Sequence, residues 1–390
     1  MKKVPGTYHI PTTNLIEPGC IKKTGEWTKI LGGENALIVS SPDDYGKKLG
    51  KKVEEILFNE GIKSHLYSGA GSNPTDEMVM KGAEEFNSSK CDIIVAIGGG
   101  SAIDCAKGIA LAARSGKNII EFEGVNKSQN NVPPLIAINT TSGTGSEVSS
   151  FTVISESLSG CKMTIVDWRI TPAISINDAE LALSMPKSLT AATGMDAFSH
   201  AIEAIVSNNS TPITDALSFE AIQLINEWLP AAFEDGQNLK ARTEMCHGAF
   251  LAGIAFNNSG LGLVHALSHP ITSMYGFPHG VVNSVLLPAV VRFNMVSSMN
   301  KYARVAAAMK AAISWHTDYE NAQKVIPAII RLIKKLNLPG GLKDLGVNEN
   351  DIPALSKAAN DEIVGRTNPR KASIMMINQI YNDAMLLPKV

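Results

Sequence analysis

The sequence predicts an α/β dinucleotide-binding domain with a mainly parallel, Rossmann-like sheet, followed by an all-α metal-binding domain. Three observations carry this. Short apolar runs alternate with helical patterns in the first half, a glycine-rich strand-to-helix turn lies among them, and after Pro186 an Ala-rich helical periodicity takes over with strand signals nearly absent. At 390 residues the chain exceeds what one core usually supports, so two domains are expected. The boundary falls near "SMPKS", giving 1–186 as the α/β domain and 187–390 as the helical, catalytic one.

In chain order, "ALIVS" at 36–40 reads as a buried strand, and the following segment sets Leu49, Val53, Ile56 and Leu57 at helical spacing before Gly61 stops it. "KSHLYSG" reads as the next strand. A helix then starts at Thr75 and runs to about Asn87. "CDIIVAIGGGS" is a continuous apolar strand entering glycines, with a helix over 102–115 behind it, and "PLIAINTTSGTGSE" adds another buried strand and a polar turn. Beyond Pro186, helices are expected over 188–206, 213–235, 238–255, 260–274, 280–293, 298–313, 319–336 and 350–360.

Composition narrows the partners. Hydrophobic residues make up 44% and charged ones 18%, and the formal net charge of −2 offers no global attraction for nucleic acid or an anionic membrane. No run of about 18 uncharged apolar residues marks a membrane span. The start, "MKKVPGTYHIPTTNLIEPG", breaks into Pro, Gly and Thr where a signal peptide needs an apolar stretch. Cys20, Cys91, Cys105, Cys161 and Cys246 form no CxxC pair, which fits a reducing compartment, and the cytoplasm is the expected location.

Chemistry concentrates in three places. Gly98, Gly99 and Gly100 let a backbone approach a ligand closely, Ser101 reads as the N-cap of the next helix, and the N–H groups of a helix start favour an anion such as pyrophosphate. The stretch lacks the Gly-x-Gly-x-x-Gly spacing, and a tight capped turn explains it equally well on its own. "NTTSGTGSE" after a second strand tips the balance toward a dinucleotide crevice at the carboxyl edge of a sheet.

The third place is "GMDAFSHAIEA", where Asp196 and His200 stand four apart and share a helix face. Alone, the pair reads as a helix-stabilising hydrogen bond. His265, His269 and His279 then fall within fifteen residues of an apolar, Gly-rich segment, and such a gathering with an aspartate favours one cation. Carboxylate and imidazole suit Fe(II), Zn(II), Mn(II) or Co(II), and ligand type alone does not choose among them.

In this order "SNPTDEMVMKG", "GGGSAIDCAKGIA", "PLIAINTTSGTGSEVS", "MPKSLTAATGMDAFSHAIEA", "GLGLVHALSHP" and "YGFPHGVVN" resemble the iron-containing (group III) alcohol dehydrogenases over essentially the whole chain. Its branch looks close to the methanol, ethanol and 1,3-propanediol dehydrogenases and to lactaldehyde reductase. The resemblance implies a nucleotide domain, a helical metal domain and a cleft between them. It also implies Asp196, His200, His265 and His279 as metal ligands, with Fe2+ expected and Zn2+ as the other candidate. Gly98, Gly99, Gly100, Ser101 and Asp104 match the pyrophosphate loop. Thr140, Thr141, Thr144 and Lys162 match positions around the ribose and nicotinamide, and Asn73, Val153 and Leu181 match further cofactor contacts.

Ser41 stands where many NAD-preferring relatives have Asp, so NAD and NADP both stay open, although Asp43 and Asp44 are close by. His269 matches a histidine that is not a ligand. One helical turn after His265, it is the candidate catalytic group for relaying a proton. The expected reaction is hydride transfer between a small primary alcohol or short diol and NAD(P), in a homodimer or larger homo-oligomer. A zinc-dependent glycerol-dehydrogenase-like enzyme, a dehydroquinate-synthase-like lyase and a non-catalytic sensor are the competing readings.

Overall fold

The computed structural model describes residues 8–387. The opening residues 1–7, part of the stretch weighed against a signal peptide, lie outside them. Two compact units divide the chain, His9–Leu183 and the chain from Ser184 onward.

The first unit is built on nine strands and four α-helices: β1 (Thr13–Ile16), α1 (Thr24–Ile30), β2 (Asn35–Val39), α2 (Asp44–Asn59), β3 (Lys63–Tyr67), α3 (Asp76–Ser88), β4 (Ile93–Gly98), α4 (Gly100–Ser115), β5 (Gly124–Val125), β6 (Leu135–Asn139), β7 (Phe151–Ser155), β8 (Lys162–Val166) and β9 (Ile174–Asn177). Six of the strands form one sheet in the order β1-β9-β6-β4-β2-β3, and every pairing in it is parallel. A parallel sheet has both faces covered, so its strands read as unbroken apolar runs. Ile93, Ile94, Val95, Ala96 and Ile97 are accordingly all fully buried, and β6 is buried along its length.

Around β2 the chain steps first to β3 on one side and then to β4 on the other, the 2-1-3-4-5 order of doubly wound sheets. The order reverses between β2 and β4, and it is outside the carboxyl ends of strands at such a reversal that these sheets bind ligands. The loops after β2 and β4 carry Ser41 and Gly98–Gly100. Sequence periodicity did not anticipate β1, β5, β7, β8 and β9. β7 and β8 pair antiparallel in a separate small sheet, and β1 is a short edge strand.

The second unit is helical: α5 (Lys187–Val206), α6 (Pro212–Glu234), α7 (Leu239–Ser259), α8 (Leu263–Tyr275), α9 (His279–Ala308), α10 (Asp318–Gln323), α11 (Val325–Lys335), α12 (Leu342–Leu345), α13 (Ile352–Asp361) and α14 (Ile374–Ala384). The expected helices 280–293 and 298–313 are one element, α9, bent where Ser298 leaves helical geometry (φ −141°). The expected helix 319–336 is two, because Pro327 cannot donate into a ladder running back to α10. α9 is apolar and long enough to cross a membrane by length alone, but most of it is buried in this unit's core.

α5 is buried on every side from Met195 to Val206, as a central helix must be. Three ionisable groups, Asp196, His200 and Glu203, nevertheless sit on it. Burying such groups is costly unless they are paired or hold a metal, so their partners define the site.

Candidate metal centre and nucleotide loops

Asp196 and His200 lie one turn apart on α5, His265 lies in the first turn of α8, and His279 is the first residue of α9. The Nε2 atoms of His200, His265 and His279 stand 3.8, 3.7 and 3.8 Å from one oxygen, Asp196 Oδ1. These distances are too long for hydrogen bonds. Two atoms each about 2.1 Å from a tetrahedral cation would be roughly 3.4 Å apart, so the spacing suits donors sharing one ion. Asp196, His265 and His279 alone present one ligand atom each within 4.8 Å of one another.

His200 lies beside this set of three without belonging to it: its ring stacks on that of His265, with centroids 4.6 Å apart, and also meets Phe256. Burial alone would raise the Asp196 carboxyl pKa, but the imidazoles of His200, His265 and His279 outweigh it and hold the carboxyl well below its usual range. For His265, burial opposes charge, yet the nearby Asp196 carboxylate and the hydrogen-bonded Glu203 carboxylate hold its pKa up at about 9. The pocket is strongly organised for positive charge.

Two residues of this centre escaped sequence reading. Glu203 follows His200 by three positions, and its Oε2 pairs with His265 Nδ1 at 2.6 Å. Asn283, one turn after His279 on α9, donates from Nδ2 to Asp196 Oδ1 at 2.8 Å. The spacings 196, 200, 203 and 279, 283 were the available signal, since each set shares a helix face. His269 lies outside the ligand group. Its ring is 5.3 Å from that of His279, and its Nδ1 lies 3.1 Å from Glu362 Oε2.

The nucleotide loops assemble in the other unit. Gly98 has a φ of 151°, and a Cβ on it would come within 2.7 Å of the Ala102 side chain. A Cβ on Gly100 would come within 2.6 Å of Thr144, and one on Gly99 within 3.2 Å of Thr141. The glycines thus let the loop carrying Thr140, Thr141 and Thr144 close against them, and Thr140 N–H donates to Gly98 O at 3.0 Å.

Ser101 is not the N-cap. α4 begins two residues earlier than expected, at Gly100, with the extended Gly99 as its cap, and no side chain caps the helix start. Ser101 Oγ instead donates to Ser72 O, tying in the exposed turn that carries Asn73.

Asp104 faces inward. Its carboxylate accepts from Ser146 Oγ and from Val153 N–H, and Lys162 adds a positive charge nearby, so it braces the threonine loop against α4 and β7. Leu181 is buried in the core beneath the sheet, and its carbonyl accepts from Tyr45. After β2, Asp43 caps α2 by accepting from Gly46 N–H, and Ser41 adds a side-chain hydrogen bond to the same carboxylate. An acidic charge is therefore present beside Ser41 after all.

Below these loops lies an unforeseen cluster. Lys107 is fully buried, and its Nζ donates to the carbonyls of Ser149 and Phe151 at 2.8 and 2.7 Å. Glu147 is also fully buried, and neither carboxylate oxygen has a hydrogen-bond partner among the described residues. Burial raises its pKa from 4.5 to about 7, with Lys107 pulling the other way. A carboxyl whose pKa is raised on folding favours the folded state at low pH, and that advantage is lost as pH rises through the folded value. From pH 4.5 to 7 the loss is at most about 3 kcal/mol. Glu147→Gln should therefore gain stability relative to the parent between pH 5 and 7.5, read as diverging melting temperatures. Parallel melting curves across that range would contradict a buried titrating carboxyl.

A doubly wound unit with glycine and threonine loops at its switch point, in one chain with an imidazole–carboxylate cluster fit for a divalent cation, defines the class of metal-dependent, dinucleotide-linked oxidoreductases. Comparison with known proteins narrows it. The model of the family described as "Iron-containing alcohol dehydrogenase" matches residues 11–179, and that described as "Fe-containing alcohol dehydrogenase family, C-terminal" matches 190–385. The chain is 39% identical to the NAD-dependent methanol dehydrogenase of Bacillus methanolicus, over 97% of this chain and 99% of that one. It is 34% identical to the lactaldehyde reductase of Escherichia coli K12, over 94% and 96% of the two chains. A solved structure of a 1,3-propanediol oxidoreductase superposes with a TM-score of 0.95 at 40% identity, covering 97% and 99% of the respective chains. The chain belongs to the iron-containing alcohol dehydrogenase family and is an oxidoreductase.

Proposed function

We propose that the protein interconverts small primary alcohols or short diols and their aldehydes, with NAD as hydride carrier and one Fe(II) ion held by Asp196, His200, His265 and His279. The observation that carries this is the convergence of three imidazole Nε2 atoms on one buried carboxylate oxygen at 3.7–3.8 Å. A divalent cation there supplies Lewis acidity, which lowers the pKa of an alcohol hydroxyl and polarises an aldehyde carbonyl. The reaction balances as one hydride passing from the carbinol carbon to NAD+ and one proton leaving the hydroxyl.

The chain's own residues do the rest. His269 accepts the departing proton, and Glu362, against its Nδ1, steadies the charged ring and leads toward solvent with a side chain 18% exposed. The uncapped start of α4 holds the pyrophosphate, with Gly98, Gly99, Gly100 and Ser101 admitting it closely and Thr140, Thr141 and Thr144 bounding it. Asn73, Val153, Lys162 and Leu181 complete the nucleotide's surroundings, and Asp104 holds the loops in register. Ser41 with the capping carboxylate of Asp43 favours a ribose 2′-hydroxyl over a 2′-phosphate, and one relative is named as NAD-dependent.

His200, equidistant with the other imidazoles, disfavours a smaller zinc-type ligand set. Five free cysteines fit a reducing cytoplasm. A homodimer or larger assembly would cover large apolar side chains such as Phe58, Leu158 and Met375, which stand more than three-quarters exposed.

The test is to strip the metal, reconstitute separately with Fe(II) under anaerobic conditions and with Zn(II), and follow NADH and NADPH formation across a panel of short alcohols. Fe(II) should restore the higher turnover, with NADH as product. Absence of turnover with either metal, despite binding of both metal and nucleotide, would overturn the assignment.

A further inference from the structure

We propose that Glu203 is a positioning residue that fixes His265 in the form able to bind a cation through Nε2, and does so by capping the helix that carries it. The inference rests on the reading of the Asp196–His265–His279 cluster as a cation site. Glu203 is 3% exposed, and its two oxygens have different partners: Oε1 accepts from Val264 N–H at 2.6 Å, and Oε2 pairs with His265 Nδ1 at 2.6 Å. Both partners belong to the first turn of α8.

The N-cap of α8 is Gly262, which has no side chain to offer, so a carboxylate from α5 takes that place. Gly262 is needed for this approach, because a Cβ there would lie 2.7 Å from Glu203 Oε1. A second orphan donor of the turn, Leu263 N–H, is met by Asn368 Oδ1 at 3.3 Å. The positive end of α8 in turn favours the buried negative charge.

An ionised carboxylate only accepts hydrogen bonds, so Nδ1 of His265 must carry a hydrogen. In the neutral ring that a cation binds, Nε2 is then the nitrogen left with a lone pair, on the side that faces Asp196 Oδ1 at 3.7 Å. The opposite tautomer would turn an N–H toward the cation and could not bind it. One carboxylate thereby joins the start of a helix to the chemical form of a ligand two residues further on. Second-sphere carboxylates on ligating histidines act in this manner, and their loss typically weakens metal binding about 10–100-fold.

Glu203→Gln is the diagnostic change because it keeps shape and removes one acceptor. Both groups facing residue 203 are N–H donors, and a carboxamide can satisfy only one of them. With its oxygen on Val264 N–H, its NH2 faces Nδ1 and drives the hydrogen to Nε2.

Zn(II) affinity would be measured against a chromophoric chelator for the wild type, Glu203→Gln and Glu203→Asp, and the ring nitrogens of His265 would be read by 15N NMR in the Zn(II)-loaded proteins, with His265→Ala for assignment. The expected result is affinity about 10–100-fold weaker in Glu203→Gln with loss of the Nδ1–H signature, and partial recovery of both in Glu203→Asp, which keeps two acceptors. Nucleotide affinity should not change. Wild-type affinity with an unaltered 15N pattern in Glu203→Gln would overturn the proposal. So would a wild-type His265 whose Nδ1 lacks hydrogen, a measurement that needs no variant to fold. Failure of the wild type itself to bind Zn(II) or Fe(II) would overturn the cation reading and this proposal together, an outcome distinct from a silent variant.

Discussion

Asp196→Asn is expected to bind metal poorly and to lose alcohol oxidation almost completely. The carboxylate is the one anionic group on which His200, His265 and His279 converge, and a carboxamide of the same shape keeps the packing while removing the charge. Lewis-acid assistance of several kcal/mol then goes unsupplied, which at 1.4 kcal/mol per factor of ten corresponds to a fall in kcat of about 1,000-fold or more. Metal content by elemental analysis and steady-state turnover check this, with NADH binding as the control. A variant that retains metal and a tenth of parental turnover would show that the aspartate is peripheral.

Gly280→Ala should be nearly as damaging although it touches no reacting group. A Cβ at this position would lie 2.0 Å from the carbonyl oxygen of Ala192 and 3.1 Å from Asp196 Cβ. The obstacle is backbone of a central helix, so it cannot rotate aside as a flexible side chain could. Relief requires α5 and α9 to part by roughly an ångström, given that ordinary contact begins near 3.5 Å. Those helices carry Asp196 and His279, so the ligands separate as the helices do. Overpacking of this kind costs about 1–3 kcal/mol in stability, and a misplacement near 1 Å can cost about 100-fold in rate. A lowered melting temperature, reduced metal retention and intact nucleotide binding are the expected set. Parental turnover with full metal content would refute it.

The two-part architecture was legible because its signals are periodic: β2, β4 and β6 are apolar runs of strand length, and α5 through α8 repeat at helical spacing. The sheet's edge and its small antiparallel companion were not, since Thr13–Ile16 is short and the β7–β8 hairpin lies beside motifs whose glycines draw the eye as loops. Candidate site residues were legible where one chemical type clusters locally, as with His265, His269 and His279. Glu203 and Asn283 were hidden because their partners, His265 and Asp196, are 62 and 87 residues away, and only the packing of α5 against α8 and α9 brings them together. Ser101 was misread for a related reason. Serine is a good cap in general, but here the helix already begins at Gly100, so Ser101 lies within its first turn and its hydroxyl reaches Ser72.

The side chains proposed to bind the cation come from three separate helices, α5, α8 and α9, all packed into the core of one unit. An ion held by all of them is bound by the folded chain and not by the unfolded one. At a free concentration a thousand times its dissociation constant it would add about 4 kcal/mol to folding, a large share of the roughly 5–15 kcal/mol that keeps a typical protein folded. The abundance of the enzyme in a cell would then follow the supply of its metal as well as the rate of its synthesis. A shortage of iron would then remove enzyme as well as activity, because the metal-free chain unfolds more readily and is degraded.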